Sequence, residues 1–125
     1  MIAKTLPKLF SSAYMYPGVQ RVRTTEYDVI KETCAHYDVT YTEMMGKRRY
    51  RKYVWARHVA MYLIRSYFPQ RSLQQIGNIF NKDHATVLHG IRVVRNLASV
   101  DIKLSSDLNE LCMKINNKFI PEPIE

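Results

Sequence analysis

Glycine is scarce in this 125-residue chain: Gly18, Gly46, Gly77 and Gly90, none of them clustered. A phosphate-cradling loop of the G-x-x-x-x-G-K-[ST] type needs its glycines close together, so a nucleotide partner held in such a loop is excluded, as is ATP hydrolysis by it. Cysteine is scarcer still. Cys34 and Cys112 make neither a metal-ligand nor a redox spacing, and each falls in an apolar helical pattern. Two buried free thiols in a reducing, cytoplasmic setting are expected. No apolar run approaches the roughly 20 residues that span a bilayer. Lys4 and Lys8 interrupt the short apolar clusters at the start, so neither a signal peptide nor a membrane partner is read there. Internal repeats and strand-period alternation are missing as well, which leaves a single all-α domain.

Acid is missing in one place. The formal net charge is +8, yet residues 1–43 balance to zero and residues 83–125 come to −1. The excess therefore lies in residues 44–82, which hold nine Lys/Arg and no Asp or Glu. A surface built only for solubility mixes its signs, so this block predicts a polyanionic partner.

What is present is helical periodicity. Residues 1–24, with Pro7 and Pro17-Gly18, read as an irregular arm, whose Leu9, Phe10, Tyr14 and Tyr16 could pack on the body and whose Arg21 and Arg23 could reach a phosphate. Thr25 opens a helix to about Tyr37 in which Tyr27, Ile30, Cys34 and Tyr37 share a stripe. Thr40-x-x-Glu43 is a capping box for a short helix that Gly46 closes. Lys47–Lys52, KRRYRK, reads as a basic loop before the longest helix, Tyr53–Phe68, which Pro69 stops. Ala56, Val59, Ala60, Leu63 and Tyr67 form that helix's core stripe; Trp55 and Tyr62 read as packing, His58 as a surface or partly packed side chain. A break at Asp101–Lys103 precedes a last helix capped by Ser105 or Ser106, and Pro121 and Pro123 keep the tail, residues 119–125, out of helix. About six helices around a long central one are expected, with residues 25–118 as the domain.

The most informative stretch is Ser72–Arg95, SLQQIGNIFNKDHATVLHGIRVVR. Ser72 and Gln75 make a second capping box, and Leu73, Ile76, Gly77 and Phe80 one apolar stripe. After Asn81 and Lys82, Asp83 is a natural N-cap for a second helix that would bury Val87, Ile91, Val94 and Ala98. His84, Ala85, Thr86, His89 and Arg92 then fall at its start and on its outer face, a set of polar and small groups suited to base edges in a major groove. The pattern is a helix-turn-helix. An arginine from the basic loop beside it is placed to enter the adjacent minor groove.

DHATVLHGIR, preceded by the Ile76-Gly77 helix, the basic loop and the AMYL segment, resembles the C-terminal DNA-binding domain of the bacterial replication initiator DnaA, over roughly Thr25–Ile115. The resemblance rests on Asp83, His84, Thr86, Val87, Leu88 and His89. It implies an all-α helix-turn-helix fold of the Trp-repressor kind and recognition of a short asymmetric A·T-rich box at replication origins. It further implies base contacts from Lys82, Asp83, His84, Ala85 and Thr86, with Arg49 or Arg51 in the minor groove. Phosphates would fall to Lys47, Arg48, Lys52 and Arg57, with Arg71, His89 and Arg92 completing the set. This sequence departs from the family's pattern at Ala85, which stands for a threonine and reaches a thymine methyl without donating a hydrogen bond. It departs again at Lys82, a point charge in place of an arginine fork, in a turn one residue shorter.

The leading expectation is a sequence-specific binder of double-stranded DNA, located with the nucleoid in the cytoplasm, serving replication initiation, its regulation, or transcription regulation. Lacking the phosphate loop, it is not expected to hydrolyse ATP or melt an origin by itself. The alternative is a protein-interaction module that recruits or blocks a replication protein, using the arm's aromatics and the acidic tail. An enzyme is the third reading and is set aside: His84 and His89 lie roughly 140° apart around a helix, so they do not form a metal-facing pair. No cofactor or metal is expected.

Overall fold

A computed structural model describes residues 24–116; the expectations for the arm up to residue 23 and for the tail lie outside the described residues. Six helices and no strand make up the described part: α1 (Glu26–Tyr37), α2 (Tyr41–Met45), α3 (Arg51–Tyr67), α4 (Leu73–Phe80), α5 (His84–Ala98) and α6 (Ile102–Asn116). The all-α architecture is the expected one. No helix among these residues is long and apolar enough to cross a membrane.

Three helix starts are set by capping boxes. Thr25, Thr40 and Ser72 each open a capping box, with Asp28, Glu43 and Gln75 as the reciprocating residues. Each box satisfies two backbone N–H groups that the first helical turn leaves without partners. The ends of α1 and α4 use left-handed residues that are not glycine, Asp38 at φ 57° and Asn81 at φ 58°. Asp and Asn tolerate that region better than other side chains. Gly46, by contrast, closes α2 with extended backbone.

The core forms around α3. Ala56, Val59, Ala60, Met61, Leu63 and Ile64 are all fully buried. A single stripe would bury fewer; here α5 packs on one side of α3 and α1 on another, so Met61 and Ile64 are covered as well. Val87, Ile91, Val94 and Ala98 of α5 face this core as the sequence pattern predicts. Both cysteines are free and buried. Burial pushes the Cys34 and Cys112 thiols up, that of Cys112 to about 12, so neither forms a reactive thiolate near neutrality.

Two helix starts differ from the sequence reading. Helix α3 begins at Arg51, so Arg51 and Lys52 belong to its first turn and the basic loop shortens to residues 47–50. A run of lysine and arginine has good helix propensity and nothing in it stops a helix. Helix α6 begins at Ile102: Asp101 accepts a hydrogen bond from the Leu104 N–H at 3.1 Å and caps it, ahead of the predicted serines Ser105 and Ser106. Ser105 is buried instead, its hydroxyl donating to the Ala98 carbonyl at 2.7 Å and tying α6 to the end of α5. Ile102 and Val100 are exposed, so the apolar period on which the boundary was judged gives no signal there.

Candidate nucleic-acid interface

The α4–α5 turn is tight because of Gly77. A Cβ at this position would stand 2.4 Å from the Lys82 carbonyl oxygen, so only glycine lets the turn fold back on α4. The left-handed Asn81 reverses the chain, and the Lys82 N–H donates to the Gly77 carbonyl at 2.9 Å, a Schellman-type closure. Asp83 then caps α5 by accepting from the Thr86 N–H at 2.9 Å. Those bonds to Thr86 hold its carboxyl below the usual range, so the cap is ionised at neutral pH.

Helix α5 lies with Val87, Gly90, Ile91 and Val94 against the core, which turns His84, Ala85, Thr86, His89 and Arg92 outward, all exposed. The basic segment comes alongside. Its exposed Arg49 joins Arg57, His58, Lys82, Thr86 and His89 around a cleft of about 270 Å³ between α3 and α5. That is below the roughly 300–1,000 Å³ of drug-sized ligand pockets, and it suits a small group better than a cofactor. Every charged side chain lining it is a cation. Lys82 is half-buried with its ammonium 3.5 Å from the Gly46 carbonyl, which ties the turn to the end of α2. Burial lowers its affinity for the proton, and Arg57, Arg49 and Lys47 add to that through repulsion.

With this geometry in hand, the comparisons are specific. The family model for the bacterial DnaA protein helix-turn-helix matches residues 27–94. The chain belongs to this family. Relatives include the chromosomal replication initiator protein DnaA of Deinococcus radiodurans, 34% identical over 122 residues, which is 98% of this chain and 24% of that protein. The protein of the same name from Mesorhizobium japonicum is 40% identical over 114 residues, 90% of this chain and 23% of that one. That from Brucella abortus is 39% identical over 100 residues, 79% of this chain and 20% of that one. The chain thus spans about a quarter or less of the length of these relatives. The matched span of the DnaA helix-turn-helix ends within α5, and α6 lies beyond it.

Within the DnaA-type helix-turn-helix the structure sorts the predicted site residues into groups. Lys82, Thr86, His89 and Arg49 meet at the cleft, and Arg51 stands next to it with Val54, Trp55 and Val93. Asp83 at the N-cap and His84, Ala85 and Arg92 of α5 are all exposed. Lys47 and Arg48 line a second hollow with Thr42, Glu43 and Tyr53, and the Arg48 guanidinium lies over the Tyr50 ring and donates to its hydroxyl at 3.0 Å. Lys52 is turned toward Asp38, 3.7 Å away, in an exposed pair that solvent screens.

Two expectations change. Arg57, expected at the surface on a phosphate, is only 4% exposed. Its guanidinium donates to the carbonyls of Met44 at 2.7 Å, Gly46 at 3.2 Å and Glu43 at 3.4 Å. It occupies the open C-terminal end of α2, where a cation also complements the helix dipole, and its first task is to hold the basic segment in place. Arg71 lies at the start of α4 in an ion pair with Glu26 at 2.6 Å, in a hollow with Gln75 and Ile79, away from the cleft. Its charge is already answered within the fold.

His58, expected as a surface or partly packed side chain, is partly buried as expected but also belongs to the site. It lines the cleft, and its ring packs against both His89 and Gly90. The signal was Gly90: a glycine inside an otherwise good helix marks a close approach, here of the His58 ring.

Proposed function

We propose that this chain is a sequence-selective binder of double-stranded DNA, working in chromosomal replication initiation or its regulation at the nucleoid. In this reading α5 enters the major groove with His84, Ala85 and Thr86 toward base edges and Asp83 and Lys82 at the entry. Arg49 or Arg51 reaches the adjacent minor groove, and Lys47, Arg48, His89 and Arg92 contact phosphates. The observation that carries it is the joining of two features on one face: an exposed, capped α5 start beside a cleft whose charged lining is entirely cationic. Membership of the DnaA helix-turn-helix family and the names of the relatives support the reading of the process. The domain of residues 25–118 acts as a non-catalytic reader.

Selection from random duplexes tests this directly. One enriched, non-palindromic motif is expected, because the recognition surface is a single α5. Binding to it should weaken steeply with salt, with a log–log slope of about −4.5 if about five phosphates are neutralised. Absence of any enriched motif would remove the selectivity. Co-elution with a replication protein and no affinity for duplex DNA at low salt would favour an interaction module instead.

A further inference from the structure

Two histidines face each other across the α3–α5 contact. The rings of His58 and His89 have centroids 5.7 Å apart and meet edge to face at 83°. The approach depends on Gly90, where a Cβ would lie 2.7 Å from the His58 ring. On the cleft side the pair is faced by Arg57 of α3, Arg49 of the basic segment, Lys82 of the turn and Thr86 of α5. On the other side stand Arg51, Val54, Trp55 and Val93. Among these lining residues there is no carboxylate, so nothing in the fold answers a positive charge placed on the imidazoles. Burial first, then the charges of His89 and Arg57, hold His58 below its ordinary value. His58 is therefore poised in its neutral form, beside His89 in a cleft sized for a small group and surrounded by cations.

We propose that this cleft seats one backbone phosphodiester of DNA between His58 and His89, and that His58 takes up a proton as the phosphate enters. The inference deepens the DNA-binding reading and rests on it. The anion supplies the counter-charge that the fold withholds, so protonated His58 is favoured in the complex and disfavoured in the free protein. Linkage then fixes the sign. Between the lowered value of the free protein and the raised value of the complex, binding captures a proton, and affinity climbs as pH falls. One proton corresponds to about tenfold in affinity per pH unit inside that window. A neutral pair would also donate a hydrogen bond to the phosphate, but without any dependence on pH.

The test uses the full chain and a duplex carrying its selected motif, at constant ionic strength, from about pH 5.5 to about pH 8, the range in which imidazoles titrate. Anisotropy titrations should show affinity rising up to about tenfold per pH unit downward, and His58→Gln should flatten that slope. His84 also faces the proposed DNA, so a site-resolved readout is needed. In the NMR titration of the wild-type rings, the His58 midpoint should move upward on adding the duplex. A flat wild-type profile, an unmoved His58 midpoint, or a His58→Gln variant that keeps the wild-type slope would each overturn the proton-coupled seat while leaving DNA binding intact. No duplex binding at any pH would overturn the DNA-binding reading and this proposal with it.

Discussion

Arg49 and Arg57 belong to the same acid-free block and carry the same charge, but the fold gives them different surroundings. Arg57 is enclosed and satisfies three carbonyls at the end of α2, while Arg49 is exposed at the cleft mouth. Truncating Arg57 removes its three bonds to the end of α2, including the one to the carbonyl of buried Met44, a loss of about 1–3 kcal/mol. Arg57→Ala should therefore lower the thermal midpoint and loosen the basic segment. Arg49→Ala should leave the midpoint alone and weaken DNA binding, with a reduced salt slope. Differential scanning calorimetry beside an anisotropy titration separates the two; equal midpoints for both variants would contradict the positioning role of Arg57. The count of cations was legible in the sequence. Which of them faced inward was not, because that depends on α2 ending against α3, a contact between segments that no local pattern records.

The helix-turn-helix was the most legible element, because its determinants are local. Ser72 with Gln75, Asn81 in the left-handed region and Asp83 on Thr86 are bonds between near neighbours, so their spacing is visible in the string of residues. Asp83→Ala removes the α5 cap and should cost about 0.5–2 kcal/mol, together with affinity for DNA because the helix start frays. Gly77→Ala is the harsher change. Its Cβ meets backbone at Lys82, not the flexible end of a side chain, so the turn itself must open. We expect a clear drop in stability by chemical denaturation and loss of selective binding; a variant with wild-type affinity and stability would contradict the geometry assigned to the turn. The starts of α3 and α6 were less legible for opposite reasons. Tyr50 gives α3 no side-chain cap, and α6 is capped by Asp101 ahead of an exposed isoleucine that breaks the apolar period.

At the scale of the whole molecule, α6 closes the bundle on the far side of the family-matched span, packing on α1 and α5. A polar cluster fastens it. Asp107 accepts from Tyr37 at 3.1 Å, pairs with His36 at 3.1 Å and is bonded by Lys103 at 3.0 Å. Burial alone would raise the Asp107 carboxyl, but its bonds to Lys103, His36 and Tyr37 outweigh that and hold it below its ordinary value. The sign follows from linkage. A carboxyl lowered in the folded state contributes stability that is present above its unfolded value, about 3.9, and is lost as pH falls through the folded value. Acid unfolding monitored by circular dichroism should show this loss at the acid end, and Asp107→Asn should be less stable at neutral pH with a shallower decline below it. Tyr37 and Asp107 are far apart in the chain, which is why neither stood out as a partner of the other in the sequence.

The central claim is that the exposed start of α5 reads bases while the cations around it hold the backbone. Competition between the selected duplex and a scrambled one, measured by anisotropy for the wild type and for His84→Ala/Thr86→Ala, tests it most directly. The account predicts that the wild type prefers the selected duplex, and that the double variant loses ~1–3 kcal/mol per lost base contact on that duplex. Its affinity for the scrambled duplex and its salt slope should change little. An equal loss on both duplexes, or no preference in the wild type, would contradict it.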